Sequence, residues 1–146
     1  MSKSIPQFQG HYRFLSNMWF MPKPMVRQGI AYKTVEHFFA AMKTKCVEDR
    51  RAIANCHSVH DAKARGRQVN LRSDWDEIRE DVMLYALRYK FGSENPTLAE
   101  SLKETGDAYL QEGNTWGDKY WGVCLKSGRG QNELGKLLMQ VRRELI

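Results

Sequence analysis

Apolar positions along the chain change their period several times, and each change marks an element. From residue 8 to residue 34, apolar and aromatic residues fall in short groups broken by Pro22, Pro24 and Gly29. That pattern predicts short strands and turns, with Gln28-Gly29 joining Met25-Val26 to Ile30-Tyr32 as a hairpin. A helix is predicted from Thr34, a good N-cap, because Val35, Phe38, Phe39 and Met42 recur at i, i+3, i+4 and i+7. Ser58-Val59-His60-Asp61 opens a second helix that runs to about Gly66. The strongest stripe follows Ser73: Trp75, Ile78, Val82, Tyr85 and Tyr89 share one helical face. Asn95-Pro96 starts a further helix that Gly106 stops. Residues 107 to 124 return to short strands and loops. A last helix begins near Asn132 and carries Leu134, Leu137, Leu138, Val141 and Leu145 on one face.

Strands and helices are segregated along the chain, which is the α+β pattern. There is no repeat, low-complexity stretch or linker, so residues 1–146 are expected to form a single helix-dominated domain. A hydrophobic fraction of 42% and a charged fraction of 27% fit a soluble globular protein. No apolar run approaches the roughly 18 residues of a membrane span. Met1 to Pro6 lack the apolar region of a secretory leader. Three cysteines, an odd number at irregular spacing, point to a reducing compartment and a cytoplasmic location. Cys46, Cys56, His57 and His60 lack the paired spacing of a zinc site, so no metal is expected. A net charge of +6 favours a phosphorylated or polyanionic ligand without identifying one.

Four constellations could carry chemistry. On the helix after Thr34, seven residues make nearly two turns, so Glu36 and Lys43 project along one line. Ala40 lies between them and is expected to leave an open space, giving a pocket wall with a carboxylate and an ammonium. As a bare pattern, the pair fits an exposed charged face better than a pocket wall. The second constellation is Trp116-Gly117-Asp118-Lys119-Tyr120-Trp121-Gly122, whose aromatics could stack on a planar base and whose Asp118 supplies another carboxylate. The third is Gly128-Arg129-Gly130-Gln131-Asn132, where glycines and Arg129 precede a helix and suit an anion. The nearby Gly130 to Leu137 approximates a nucleotide-binding P-loop. However, Leu137 stands where a magnesium-binding hydroxyl is required, so a nucleoside triphosphatase is rejected and Gly135 is assigned to close packing. The fourth is Phe14-Leu15-Ser16-Asn17, in which Ser16 and Asn17 could bond sugar hydroxyls or merely form a turn.

Taken in order, these pieces resemble the NADAR family, also called the YbiA-like N-glycosidases. The resemblance is carried by Phe14 to Asn17, Val35-Glu36-His37 with Ala41-Met42-Lys43, and Asp74-Trp75 with Val82-Met83. It continues through Lys90-Phe91, Thr105-Gly106-Asp107, Asp118 with Trp121-Gly122, and Gly130 to Met139 with Arg142. It spans about residues 12 to 145. It implies a small N-terminal antiparallel sheet and about five or six helices. It departs from the family pattern at His37-Phe38, after the helix glutamate, and at Trp121 to Leu125; an altered pocket lining is expected there.

The resemblance implies hydrolysis of the C–N bond between a ribose and a nitrogenous base or amine. The substrates it implies are phosphorylated aminopyrimidine intermediates of riboflavin synthesis, or ADP-ribosylated guanine, with nucleic acid as a possible carrier. It assigns Glu36, Lys43 and Asp118 to catalysis without metal or cofactor, and Trp75 and Trp121 to the site. Ser16, Asn17, Arg129 and Asn132 are expected to bind substrate. Cleavage of a glycosidic bond builds positive charge on the sugar, which a carboxylate stabilises. Lys43 could hold an anion as a cation or, if desolvated, attack the sugar as an amine. The competing readings are a non-catalytic ADP-ribose or nucleotide sensor and a basic nucleic-acid-binding protein. The second competes weakly, since only Lys63, Arg65 and Arg67 cluster.

Overall fold

The structure is a computed structural model that describes residues 3–146. In chain order, its elements are β1 (Ser4–Ile5), a 3₁₀ helix (Gly10–Leu15), β2 (Met25–Arg27), β3 (Ile30–Tyr32), α1 (Val35–Ala41), α2 (Val47–Ala54) and α3 (Val59–Gly66). These are followed by α4 (Trp75–Lys90), α5 (Pro96–Glu104), β4 (Tyr109–Leu110), β5 (Gly113–Asn114), β6 (Val123–Cys124) and α6 (Glu133–Glu144). The class is α+β. The chain folds as two compact units, one of residues 17–90 and one of the residues up to 16 with 91–146.

In the unit of residues 17–90, β2 and β3 form the expected antiparallel hairpin, with Arg27 opposite Ile30. Gln28 and Gly29 have φ of 53° and 76°, the left-handed conformation that a tight two-residue hairpin turn requires at both positions. Helix α1 lies at the centre of this unit and packs against α2, α3 and α4. It is buried nearly all round: Val35, His37, Phe38, Phe39, Ala40 and Ala41 all face protein. The expected open space beside Ala40 is absent. A β-carbon placed on Gly66 would sit 2.8 Å from that of Ala40, so the two small residues let α3 cross α1 at close range. Ala40 therefore serves helix packing and is not a pocket floor.

Three expectations need correction. Residues 10–15 form a 3₁₀ helix where strands and turns were expected. Helix α2 has no sequence signature: Cys46 caps it without a side-chain bond, and only Ile53 and Ala54 of its residues are buried. The third concerns α4, whose buried face is Trp75, Met83, Ala86, Leu87 and Lys90. Of the stripe Trp75, Ile78, Val82, Tyr85 and Tyr89, only Trp75 is buried, and Tyr85 is exposed. The aromatic residues lie on the helix's shoulder, where Tyr85 meets Phe38 at 5.9 Å and Arg27 covers the Tyr85 ring at 4.8 Å.

In the other unit, β1 pairs in parallel with β4, and β5 in parallel with β6. Helix α5 has Pro96 in its first turn, and Gly106 follows it with φ of 64°, as the sequence predicts. Helix α6 carries Leu134, Leu138 and Val141 inward. Gly135 touches the chain so closely that a β-carbon would lie 2.1 Å from the Leu110 carbonyl oxygen, which bears out its packing role.

The crossing of α1 and α3 is open to a direct test. Gly66→Ala is expected to lower stability by about 1–3 kcal/mol through overpacking, seen as a fall in Tm, and Ala40→Gly in the same chain should recover part of the loss. An unchanged Tm for Gly66→Ala would show that the crossing is loose.

Candidate active site

Helix α1 begins where three groups converge. The Thr34 hydroxyl accepts a hydrogen bond from the His37 backbone N–H at 3.0 Å. The Glu36 backbone N–H donates to the Asn17 carbonyl at 3.1 Å, which ties residue 17 to the first turn. Glu36 is half-buried in that turn, where the helix dipole favours a carboxylate. The Asn17 side chain donates to Met83 Sδ at 3.6 Å, while its Oδ1 is buried without any hydrogen-bond donor. A buried acceptor left unpaired costs about 1–3 kcal/mol; beside Glu36, it fits the hydroxyl of a ligand. Ser16, its neighbour, is half-buried and closes the 3₁₀ helix by donating its N–H to the Arg13 carbonyl.

At the far end, α1 stops at Ala41, and the backbone tightens so that the Lys43 N–H bonds the Ala40 carbonyl at 3.3 Å. Lys43 thus stands past the helix on one further turn. Its ammonium lies 5.8 Å from the centre of the Phe39 ring, and that ring meets Trp75 edge-on at 4.9 Å. Trp75 is buried and forms the wall behind Phe39, not an open stacking face. Burial pushes the Lys43 amine to lower proton affinity; Glu36 opposes this, and Arg67 and Lys63 reinforce it. The structure thus places Glu36 within electrostatic reach of Lys43, as the seven-residue spacing predicts. It also brings Lys63 and Arg67 into that field, two residues that the sequence alone places only in a basic cluster. A signal was available: the two lie one turn apart around Gly66.

His37 points the other way, and so does Phe38: both are buried and neither is an exposed lining residue. The His37 Nε2–H donates to the Cys56 carbonyl at 2.9 Å, which leaves Nδ1 to accept from the Thr34 hydroxyl at 2.8 Å. The imidazole ties the start of α1 to the segment after α2. A groove of about 660 Å³ lined by Cys56, His57, Asp61, Arg65 and Gln68 contains none of the expected site residues.

The remaining candidates belong to the other unit. Asp118 Oδ1 accepts from the backbone N–H groups of Tyr120 and Trp121, each at 3.0 Å. Asn114 clamps the same loop by accepting from the Asp118 N–H and donating to the Asp118 carbonyl, each at 2.9 Å. At least half of the Asp118 carboxylate therefore organises the loop that presents the half-buried Trp121. Asn132 is left-handed, with φ of 56°, and 1% exposed. Its side chain donates to the Leu110 carbonyl at 2.8 Å and to the Tyr109 hydroxyl at 3.2 Å, and accepts from the Glu112 N–H at 2.9 Å. These bonds make it a structural hub, which corrects its expected role in binding substrate. The expected anion site before α6 is also filled. The N–H groups of residues 131, 132, 133 and 134 donate to the carbonyls of Lys119, Gly122, Tyr120 and Trp121. Arg129 is exposed and its carbonyl accepts from Cys124.

Residues 7–146 match the NADAR domain. This chain belongs to the NADAR family. It is 37% identical over 128 residues to the protein named N-glycosidase YbiA of Shigella flexneri serotype 5b, covering 86% of this chain and 78% of that one. It is 34% identical over 137 residues to the riboflavin biosynthesis protein VVA0006 of Vibrio vulnificus, covering 92% of this chain but only 36% of that longer protein. The NMR structure of the Escherichia coli protein YbiA superposes with a TM-score of 0.83 at 34% identity, over 99% of this chain and 86% of that one.

The NADAR motifs of this chain divide into two kinds. Thr105-Gly106-Asp107 and Arg142 are structural: Arg142, 7% exposed, donates to the Thr105 hydroxyl at 2.8 Å, and Asp107 acts electrostatically to favour its charge against burial. Gly135 and Asn132 are structural as well. Glu36 and Lys43 instead leave ionisable groups half-buried. Among the described residues no helix is long and apolar enough to cross a membrane.

His37 gives the NADAR domain a definite pH response. Burial lowers its proton affinity in the folded state. Between its folded and unfolded pKa values, the unfolded chain binds more protons, so stability rises with pH. The contribution is present above about pH 6.5 and is lost as pH falls toward the lower folded value. Tm should therefore drop between pH 7.5 and 5.5, and more shallowly in His37→Gln; parallel Tm profiles would contradict the assignment.

Proposed function

We propose that this chain is an N-glycosidase that hydrolyses the C–N bond between a ribose and a nitrogenous base or amine. The observation that carries the reading is a half-buried lysine of reduced proton affinity with a carboxylate acting on it: Lys43 and Glu36. Family membership and the names of the relatives support the same bond class. In the proposed reaction the neutral Lys43 amine attacks the sugar C1, and the C1–N bond breaks with its electron pair going to the departing nitrogen. Glu36 takes the proton from the attacking nitrogen and passes it to the leaving base. The C1–O ring bond then breaks, its oxygen taking the remaining proton of the Lys43 nitrogen as a C1=N imine forms. Water adds at C1 and expels the lysine, so the balance is one water consumed per bond cleaved. Asp118 takes a positioning role, holding the Trp121 loop. Asn17 Oδ1 accepts a sugar hydroxyl. No metal or cofactor enters the proposal.

The preferred substrate class is a phosphoribosyl aminopyrimidine of riboflavin synthesis, because relatives carry riboflavin biosynthesis in their names. ADP-ribosylated guanine, free or carried on nucleic acid, presents the same bond and is the second arm of the test. The proposed compartment is the cytoplasm. A sensor that only binds phosphates is disfavoured, since Glu36 would repel them.

Both substrate classes should be offered to the pure protein and the released base followed by mass spectrometry. Release is expected from the aminopyrimidine, with a loss of about a hundredfold or more in Glu36→Gln. Borohydride added during turnover should fix a sugar on Lys43 and nothing in Lys43→Ala. Cleavage of neither class would overturn the function, and turnover without a trapped adduct would overturn the imine.

A further inference from the structure

The crossing of α1 over α3 brings more to Lys43 than packing. Ala40 meets Gly66, and Lys43 follows Ala40 by one turn. On α3, Lys63 and Arg67 stand three residues before and one residue after Gly66, and the Arg67 N–H bonds the Lys63 carbonyl at 3.3 Å. They therefore lie one turn apart on the helix that faces the end of α1. The backbone adds a second anchor, since the Arg72 N–H donates to the Lys43 carbonyl at 2.8 Å. The neighbouring cation is already committed: Arg72 holds Asp74 through two bonds of 2.6 and 3.1 Å. Arg67 is exposed, and among the described residues its side chain has no hydrogen bond or ion pair. The charged groups acting on Lys43 are thus two cations, Lys63 and Arg67, and one carboxylate, Glu36.

We propose that Lys63 and Arg67 form the phosphate-binding subsite of this chain, holding the phosphate of a ribosyl substrate whose C1 is addressed by Lys43 and Glu36. The proposal rests on the N-glycosidase reading and deepens it by assigning the anionic end of the substrate. The chemistry explains why cations are wanted here. A phosphate gains charge-assisted bonds from a guanidinium and an ammonium. A carboxylate nearby does not compete for the phosphate; it sits at the opposite, reacting end, where positive charge develops. Two cations one helical turn apart suit either a phosphate monoester or the diphosphate of an ADP-ribosyl group.

The test separates binding from turnover. Ribose 5-phosphate, ADP-ribose and plain ribose are titrated into the full chain by calorimetry. Both phosphorylated probes should bind, and ribose should bind far more weakly. Arg67→Ala should weaken phosphate binding about tenfold, Arg67→Lys should retain part of it, and Lys63→Ala with Arg67→Ala should bring it to the level of ribose. Tighter binding of ADP-ribose than of ribose 5-phosphate would point to the diphosphate as the natural group, and equal binding to the monoester. Arg67 is exposed, so Arg67→Ala decides the matter even if the double variant folds poorly. Unchanged affinity in Arg67→Ala and in the double variant, or no binding of either phosphorylated probe to the wild type, overturns the subsite. Loss of binding in a chain that cleaves no C–N bond sinks the enzymatic reading while the subsite stands. Turnover whose KM is unmoved by these variants sinks the subsite while the reading stands.

Discussion

The close crossing of α1 and α3 at Ala40 and Gly66 is the constraint on which the rest of the site depends. Only two small residues allow this approach, and it fixes what surrounds the end of α1. Just past it, Lys43 is half-buried, with its ammonium 5.8 Å from the centre of the Phe39 ring. Burial then disfavours its charged form, and the cations of α3 add to the effect while Glu36 restrains it. Packing, not any special property of the lysine, prepares the amine. Helix α1 is short and buried on most of its surface by α2, α3 and α4. Its seven residues are held from all sides, with His37 and Thr34 closing its start.

The unit holding α6 is built on a different principle, polar satisfaction around a few side chains. Asn132 feeds three hydrogen bonds into the β4–β5 segment while its left-handed backbone turns the chain into α6. The carbonyls of residues 119–122 meet the N–H groups at and before the start of that helix, so the loop after Asp118 and the helix form one hydrogen-bonded body. Asp118 orders this loop from within. A motif rich in glycine and tryptophan here specifies a hydrogen-bonded carrier for Trp121, and the Asn132 side chain and one Asp118 carboxylate oxygen are used within it.

Much of this was legible in the sequence. Thr34, Ser58, Asn95 and Gly106 mark their helix boundaries because capping and turn chemistry are local. The Gln28-Gly29 hairpin is legible for the same reason. Helix α2 was not, because its residues Val47 to Ala54 neither cap strongly nor alternate in period; tertiary contact with α1 and α3 holds it. The buried face of α4 departs from the aromatic stripe because Met83, Ala86 and Leu87 turn inward, while Tyr85 stays exposed at the edge of Phe38. At the site, the line from Glu36 to Lys43 followed from helical geometry. The space beside Ala40 did not, since a small residue signals either a cavity or a close neighbour, and only the fold distinguishes them. In the sequence, the N–H groups at and before Asn132 look open to an anion because glycine before a helix resembles an anion cradle. The carbonyls that fill it come from residues 119–122, in the loop after Asp118.

In the reaction proposed above, burial depresses the proton affinity of Lys43 and so arms it as a nucleophile beside Glu36. Competitive acylation of the lysines across a pH series, read by peptide mass spectrometry, measures this directly. Lys43 is expected to titrate clearly below the ordinary lysine value of about 10.4. Glu36→Gln is expected to lower the Lys43 value further by removing the opposing charge. A Lys43 that titrates at or above the ordinary lysine value of about 10.4 would contradict this preparation of the amine by burial.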